Sequence, residues 1–325
     1  DTEPLVARDA RNQASRWADC LQRLEDVSFT AVADADPAVA EATVTLLGSG
    51  SHVAACNQLL SAAGNDWDAL LVSGEPTESV EVTQAALAAG KPVLLEHAPR
   101  DAARLAALDA VATDSRTQLM VGGSLRYAPS LSTVQQSVAS GQIGDPGLLR
   151  AHRWVPAADI ATEASLENGL LLEEVDLALW LFGQLPSHIL TSSSIASETD
   201  RGCVQIHLGF PDNGMALLDW GALVQGTGYF SLSLIGSQGA AYADDHHNTQ
   251  LLFQGGAPAG LNTAGGACGR LGQLREFITA ITEQRSPGST ITQACTAARV
   301  HQAACSSLTT GQAFQWTGEA YQAFA

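Results

Sequence analysis

Hydrophobic positions along the first 122 residues fall into short runs, and these are separated by Ala-rich stretches with helical spacing. The short runs predict strands at residues 5–7, 28–33, 69–72, 92–95 and 118–121. The stretches between them predict helices at residues 12–24, 37–46, 77–89 and 102–112. This alternation is typical of βαβ units on a parallel sheet. We therefore predict an N-terminal α/β domain.

The pattern changes beyond residue 124, where strands predominate. We expect helices at 129–140 and 170–182, a strand at 148–155, and a strand-rich region from 188 to 253. The sequence PDNG at 211–214 separates two alternating runs and predicts a β-hairpin. Two helices are expected to close the chain. The pattern predicts an α+β domain with a largely antiparallel sheet, so we divide the chain into residues 1–124 and 125–325.

Composition narrows the function classes. The chain has 34 acidic and 16 basic residues, a formal charge of −18. Such a surface argues against binding to nucleic acid or anionic membranes, because both require clustered Lys and Arg. The six cysteines contain no C-x-x-C pair, and no apolar run reaches transmembrane length. We therefore expect reduced thiols in a cytoplasmic protein. We expect no metal either, because adjacent His246 and His247 would point apart.

Seven segments occur in an order that is typical of one protein family. They are FTAVADADPAVAE, AALAAGKPVLLE, LMVGGSLRYAPSL, SGQIGDP, VDLALWLFG, LSLIGSQGA and TTGQAFQW. On these segments the whole chain resembles the Gfo/Idh/MocA family of oxidoreductases. The resemblance implies a Rossmann-like, doubly wound N-terminal domain for NAD(P). It also implies a C-terminal domain whose sheet forms a homo-oligomer, and a sugar- or cyclitol-like substrate.

The resemblance locates the cofactor site in the N-terminal domain. The three glycine positions of the phosphate loop become Asp9, Arg11 and Ala14. Asp9 would occupy the place of an anion, whereas Arg11 could itself pair with a phosphate. Asp34 would bind the adenosine ribose and favour NAD over NADP, although it is also a candidate helix N-cap. We predict weak or absent NAD(P) binding, with an unusual phosphate site at Arg11 as the alternative.

The family's Glu-Lys-Pro element stands here as Glu96, His97 and Ala98. The resemblance places Glu96 beside the cofactor and makes His97 the catalytic candidate, since imidazole can transfer protons near neutral pH. The fixed positive charge of the lysine, which would stabilise a developing alkoxide, is missing. We expect the Glu96–His97 corner to contact a ligand.

The second domain carries the remaining catalytic candidates by resemblance. The family's catalytic-helix pattern becomes Glu173, in place of the usual histidine, and Asp176. Glu173 could act as a general base, and the carboxylates around it could form a functional site or a hydrogen-bond network. Arg126 and Tyr127 match an element at the domain junction. We interpret them as structural first and substrate-contacting second.

The replaced positions lie in cofactor and catalytic elements, whereas the scaffold segments are retained. The leading hypothesis is an oxidoreductase-family protein whose dehydrogenase activity is reduced or lost. The first alternative is an active NAD-dependent enzyme that uses His97 and Glu173. The second alternative is a ligand-sensing regulatory or interaction protein.

Overall fold

The computed structural model describes residues 17–25, 27–34, 36–48, 50–53, 67–73, 76–156, 171–194, 202–224, 229–244, 249–253, 259–262 and 269–324. Their contacts form two compact units. The first unit comprises Asp1–Ser124 with Cys268–Cys295, and the second comprises Leu125–Ala267 with Thr296–Ala325. Cys268–Cys295 thus packs with the first unit, whereas the sequence-based division assigned it to the second domain. The assignment of functions to the two domains remains a prediction.

The first unit contains parallel strands, as predicted. Strand β1 (Ala31–Ala33) pairs in parallel with β2 (Ser51–Val53). A three-stranded parallel sheet has the order β3 (Leu70–Val72), β4 (Val93–Leu95) and β5 (Leu119–Val121). Every residue of β4 and β5 is buried, which explains their continuous apolar sequences. Strand β2 had not been predicted, and the strand expected at 5–7 lies outside the described residues.

Helices of the first unit begin and end with recognisable caps. Residues 17–21 form α1, followed by α2 (Pro37–Leu47), α3 (Pro76–Ala88) and α4 (Ala102–Ser115). Asp36 caps α2 by accepting a hydrogen bond from Ala38 N, and Asp101 caps α4 in the same way at Ala103 N. Gly48 ends α2 with a positive φ of 71°, a conformation that glycine adopts without strain.

The second unit is built on a mostly antiparallel sheet, as predicted. Its strands are β6 (Pro146–Pro156), β7 (His188–Ser193), β8 (Cys203–Gly209), β9 (Met215–Val224), β10 (Tyr229–Gly236), β11 (Ala240–Asp244), β12 (Thr249–Phe253), β13 (Ala259–Asn262), β14 (Phe314–Trp316) and β15 (Tyr321–Ala323). The ten strands have the order β13-β12-β11-β10-β6-β9-β8-β7-β14-β15. Only the described pair β6–β9 is parallel within this sheet.

In this sheet the sequence pattern predicted the hairpin turn correctly but missed the last strands of the chain. The predicted hairpin joins β8 and β9, with Asn213 at a φ of 61° and Phe210 N donating to Gly214 O over 2.7 Å. Strands β13, β14 and β15, which lie beyond the strand-rich region expected at 188–253, had not been predicted.

One face of the large sheet carries the core of the second unit. Val204, Ile206 and Leu208 alternate inward along β8. The helices of this unit are α5 (Pro129–Ala139), α6 (Leu172–Phe182) and most of α8 (Ile291–Thr310), while α7 (Gly269–Thr282) belongs to the first unit. The Phe182 ring of α6 stacks on Phe210 at 3.9 Å. In the part of the chain that the structure describes, no helix is long and apolar enough to cross a membrane.

Candidate functional site

A polar corner forms where the three parallel strands of the first unit end. Ser73, Glu96 and Gly122 directly follow β3, β4 and β5. Because neighbouring parallel strands end at the same edge, these residues lie together at the carboxyl edge, where α/β sheets bind ligands. The Ser73 hydroxyl donates a hydrogen bond to Glu96 Oε2. The corner that the sequence predicted from Glu96 and His97 is therefore present.

Glu96 is the buried centre of this corner. Its side chain is 4% exposed, and Arg270 Nε donates to its Oε1 over 3.2 Å. Nε2 of His97, whose side chain is 39% exposed, lies 3.8 Å from the same oxygen. Burial raises the pKa of the Glu96 carboxyl. The charges of His97 and Arg270 and the Ser73 hydrogen bond outweigh burial, so the pKa lies below its ordinary value.

The end of β5 is anchored to a later part of the chain. Gly122 has a φ of 52°, and a Cβ there would lie 3.6 Å from Glu96 O. Its carbonyl accepts hydrogen bonds from Gln273 Nε2 over 2.5 Å and from Ser289 Oγ over 3.3 Å. Helix α7 is thereby tied to the carboxyl edge of the sheet. These bonds give the physical reason why Cys268–Cys295 packs with the first unit.

Asp34 lies directly after β1, in the position that the sequence analysis assigned to the ribose-binding acid. Its Oδ1 accepts a hydrogen bond from Asp36 N over 2.8 Å. The N-cap of α2 is Asp36 and not Asp34, because the Asp36 carboxylate receives the helix N–H. The phosphate-loop candidates Asp9, Arg11 and Ala14 lie outside the described residues.

Two candidates of the second unit bind each other. Arg126 Nε donates to Asp176 Oδ2 over 2.7 Å, and Arg126 Nη2 donates to Asp176 Oδ1 over 2.5 Å. The Arg126 side chain is 3% exposed, and its Cζ lies 5.6 Å from the centre of the Trp180 ring. This bidentate geometry fixes both planar groups. It joins the turn Ser124–Tyr127 to α6.

A second ion pair lies beside the first on α6. Glu174 is buried and accepts a hydrogen bond from Arg153 Nε. The Arg153 guanidinium carbon lies 4.9 Å from the centre of the Phe230 ring. Glu173 is half-buried in the same helical turn. Two of the three carboxylates predicted to form either a functional site or a network thus belong to ion pairs.

Sequence reasoning missed two members of the polar corner, Ser73 and Arg270. Ser73 could have been found, because it follows a predicted strand as Glu96 does. No local pattern indicates Arg270, which is 174 residues from Glu96 along the chain. Among the residues with described positions, no group of three or more His, Cys, Asp or Glu could hold a metal ion. His246 and His247 are outside that set.

Comparisons of sequence identify related dehydrogenases, although no protein-family model matches the chain. The chain is 26% identical over 182 residues to inositol 2-dehydrogenase of Rhizobium meliloti (strain 1021), which is 54% of each chain. It is 28% identical over 249 residues to that of Streptomyces avermitilis, covering 74% of this chain and 73% of the relative. It is 33% identical over 166 residues to that of Klebsiella pneumoniae (strain 342), covering 50% and 49%.

Solved structures share the fold over nearly the whole chain. UDP-N-acetylglucosamine 3-dehydrogenase from Acidithiobacillus ferrooxidans has a TM-score of 0.79 at 18% identity and covers 91% of this chain and 94% of its own. Aldose-aldose oxidoreductase from Caulobacter crescentus has a TM-score of 0.79 at 17% identity, covering 92% and 95%. GenD2 from gentamicin A biosynthesis, in complex with NAD, has a TM-score of 0.78 at 18% identity, covering 93% of each chain.

The solved structures share the fold, with a Rossmann-like unit and a second unit on a large, mostly antiparallel sheet. The inositol 2-dehydrogenases and this shared fold support a Gfo/Idh/MocA-family oxidoreductase, as the sequence analysis predicted. The match spans about half the length of the Rhizobium and Klebsiella relatives. Sugar and cyclitol dehydrogenases are therefore this chain's relatives.

Proposed function

We propose that the chain binds a sugar- or cyclitol-like polyol at the Glu96–His97 corner and that its dehydrogenase activity is reduced or lost. The inositol 2-dehydrogenases among its relatives make myo-inositol the first probe. Any remaining cofactor binding favours NAD, because Asp34 stands where the 2′-phosphate of NADP would meet a negative charge. The neighbouring structure of GenD2 in complex with NAD agrees with this choice.

The proposal rests on the contacts that the candidate catalytic side chains make. Both carboxylate oxygens of Asp176 accept hydrogen bonds from Arg126, so this carboxylate is held as an ion-pair partner. At the corner, residue 97 is a half-exposed histidine and not a lysine. A histidine at this position does not supply the fixed cation that a lysine would place opposite an alkoxide.

One observation favours the active-enzyme alternative. Neither the His97 nor the Glu173 side chain is fully buried. In that alternative, His97 would accept the hydroxyl proton, and NAD, when bound, would supply the hydride acceptor. Glu173 acts as the second acid–base group.

The proposal extends to assembly. Trp154, Leu190, Met215 and Ile235 are exposed on the sheet face opposite the core of the second unit. A set of exposed apolar side chains on one sheet face is typical of a protein–protein interface. We propose that a second copy of the chain covers this face. Sedimentation of the wild type and of Met215→Lys tests it; a monomeric wild type would contradict the assembly.

Steady-state assays test the activity. NAD+ or NADP+ is offered with myo-inositol and a panel of aldoses, and reduced cofactor is measured. We expect turnover below about 0.1 s⁻¹, since enzymes average about 10 s⁻¹ and lost acid–base catalysis costs about 10²–10⁴-fold. Turnover of about 10 s⁻¹ that disappears in His97→Ala and in Glu173→Ala would establish the active alternative.

A further inference from the structure

A cation from a distant part of the chain reaches the polar corner. Arg270 is the second residue of α7, and its Nε donates to Glu96 Oε1 over 3.2 Å. The Ser73 hydroxyl donates to the other oxygen. The buried carboxylate thus receives hydrogen bonds from side chains of different parts of the first unit, and Trp17 also contributes to lowering its pKa.

Arg270 is itself held in place. Its guanidinium carbon lies 5.8 Å from the centre of the Trp17 ring, a separation at which a cation is attracted to the aromatic face. One turn later, Gln273 is fully buried and donates to Gly122 O, which fixes the start of α7 at the end of β5. The Arg270 side chain is 28% exposed, so its charge is only partly screened by water.

We propose that Arg270 is a positioning residue of the candidate polyol site. It holds the Glu96 carboxylate in place at the carboxyl edge of the sheet and brings a permanent positive charge to the corner. This inference rests on the proposed function, because the ligand class is taken from it.

Arg270 affects the corner through its contact with Glu96, which in turn lies beside His97. Glu96 Oε1 faces Arg270 Nε and, at 3.8 Å, His97 Nε2. The separation of 3.8 Å is too long for a hydrogen bond, so Glu96 acts on His97 through its charge. Arg270 partly neutralises that charge. The same Glu96 oxygen thus lies between the Arg270 guanidinium and the half-exposed His97 ring.

The test replaces Arg270 and uses an exposed arginine of the same helix as a matched control. Arg270→Gln removes the charge, Arg270→Lys keeps it without the Nε geometry, and Arg275→Gln removes an equal charge at an exposed position. The Glu96 carboxyl is followed by NMR of ¹³C-labelled glutamate as pH is varied, and its signal is assigned by its loss in Glu96→Gln. Binding of myo-inositol is measured by calorimetry on the same samples.

We expect Arg270→Gln to raise the Glu96 titration midpoint by roughly half a pH unit or more, since an opposite charge is lost nearby. Its affinity for myo-inositol should fall about tenfold, the equivalent of one charge-assisted contact. Arg270→Lys should lie between the wild type and Arg270→Gln, and Arg275→Gln should match the wild type.

An unchanged Glu96 midpoint in Arg270→Gln overturns the inference. So does an equal shift in Arg275→Gln, because the effect would then be general to the charge of the helix. If the wild type fails to bind myo-inositol, the proposed function loses its first probe. The carboxyl titration still decides the role of Arg270, because it needs no ligand.

Discussion

Arginines hold carboxylates in both units, but in different ways. In the second unit, Asp176 receives two parallel hydrogen bonds from the almost fully buried Arg126. In the first unit, Glu96 receives one bond from the partly exposed Arg270, beside a half-exposed histidine. We call the first arrangement closed, because Arg126 bonds to both oxygens of Asp176. We call the second open, because Arg270 and His97 beside Glu96 are partly exposed to solvent. We therefore attribute stability to the Arg126–Asp176 pair and propose ligand contact at the corner.

The largest expected effect is on the closed pair. Arg126→Met should lower the free energy of unfolding by about 3 kcal/mol, because it leaves the largely buried Asp176 carboxylate, 15% exposed, without its partner. Urea unfolding measures the change. Arg150→Met, which removes an exposed arginine from β6, should change stability by less than about 0.5 kcal/mol. A loss below about 1 kcal/mol in Arg126→Met would show that this pair does not hold the second unit together.

The same kind of change at the open corner should cost less. Arg270→Gln should lower the free energy of unfolding by about 1–2 kcal/mol, because the buried Glu96 loses one charged donor but keeps the Ser73 bond. The measurement is again urea unfolding, beside Arg275→Gln as the control. If Arg270→Gln destabilises the protein as much as Arg126→Met does, the distinction between an open and a closed carboxylate is lost.

Acid should reveal the ionised state of Glu96. Its pKa is lowered in the folded protein, so its contribution to stability is present above the ordinary value of 4.5 and disappears as pH falls through the folded pKa. Glu276 behaves in the same way, because the Arg285 hydrogen bond lowers its pKa. Glu96→Gln should therefore flatten the decline of unfolding free energy between about pH 5 and about pH 2. A decline of unchanged slope would mean that Glu96 is not held ionised.

The smallest stability effect is expected at His97, the half-exposed residue of the corner. His97→Ala should change the free energy of unfolding by less than about 0.5 kcal/mol, because its side chain is half-exposed. Its affinity for myo-inositol should nevertheless fall, as calorimetry would show. Unaltered affinity together with lost stability would instead make His97 a structural residue.

Much of the fold was predictable, because buried parallel strands are written as continuous apolar runs. The segments predicted at 92–95 and 118–121 differ from Val93–Leu95 and Leu119–Val121 by a single residue at the start. The corner at Glu96 was also predictable, because it follows such a run. Its partner Arg270 could not be predicted, because it lies near Glu96 only when Cys268–Cys295 packs with the first unit. That packing depends on hydrogen bonds between residues far apart in the sequence.

For the catalytic candidates of the second unit, the sequence located residues but not their contacts. Sequence patterns located Arg126 and Asp176 but could not show that they bind each other, since 50 residues separate them. Arg153, the partner of Glu174, was not among the residues that sequence patterns located. Residue type and local spacing identify groups that can do chemistry, whereas their engagement by a partner depends on tertiary packing.

The central claim is that the scaffold and the ligand corner are retained while the hydride-transfer machinery is weakened. Calorimetric titration of the wild type with NAD+, NADH, NADP+ and NADPH tests it most directly. We predict no dissociation constant below about 1 mM for any of the four, a binding free energy no better than about −4 kcal/mol. A dissociation constant of about 1 μM for any one of them, about −8 kcal/mol, would contradict the account.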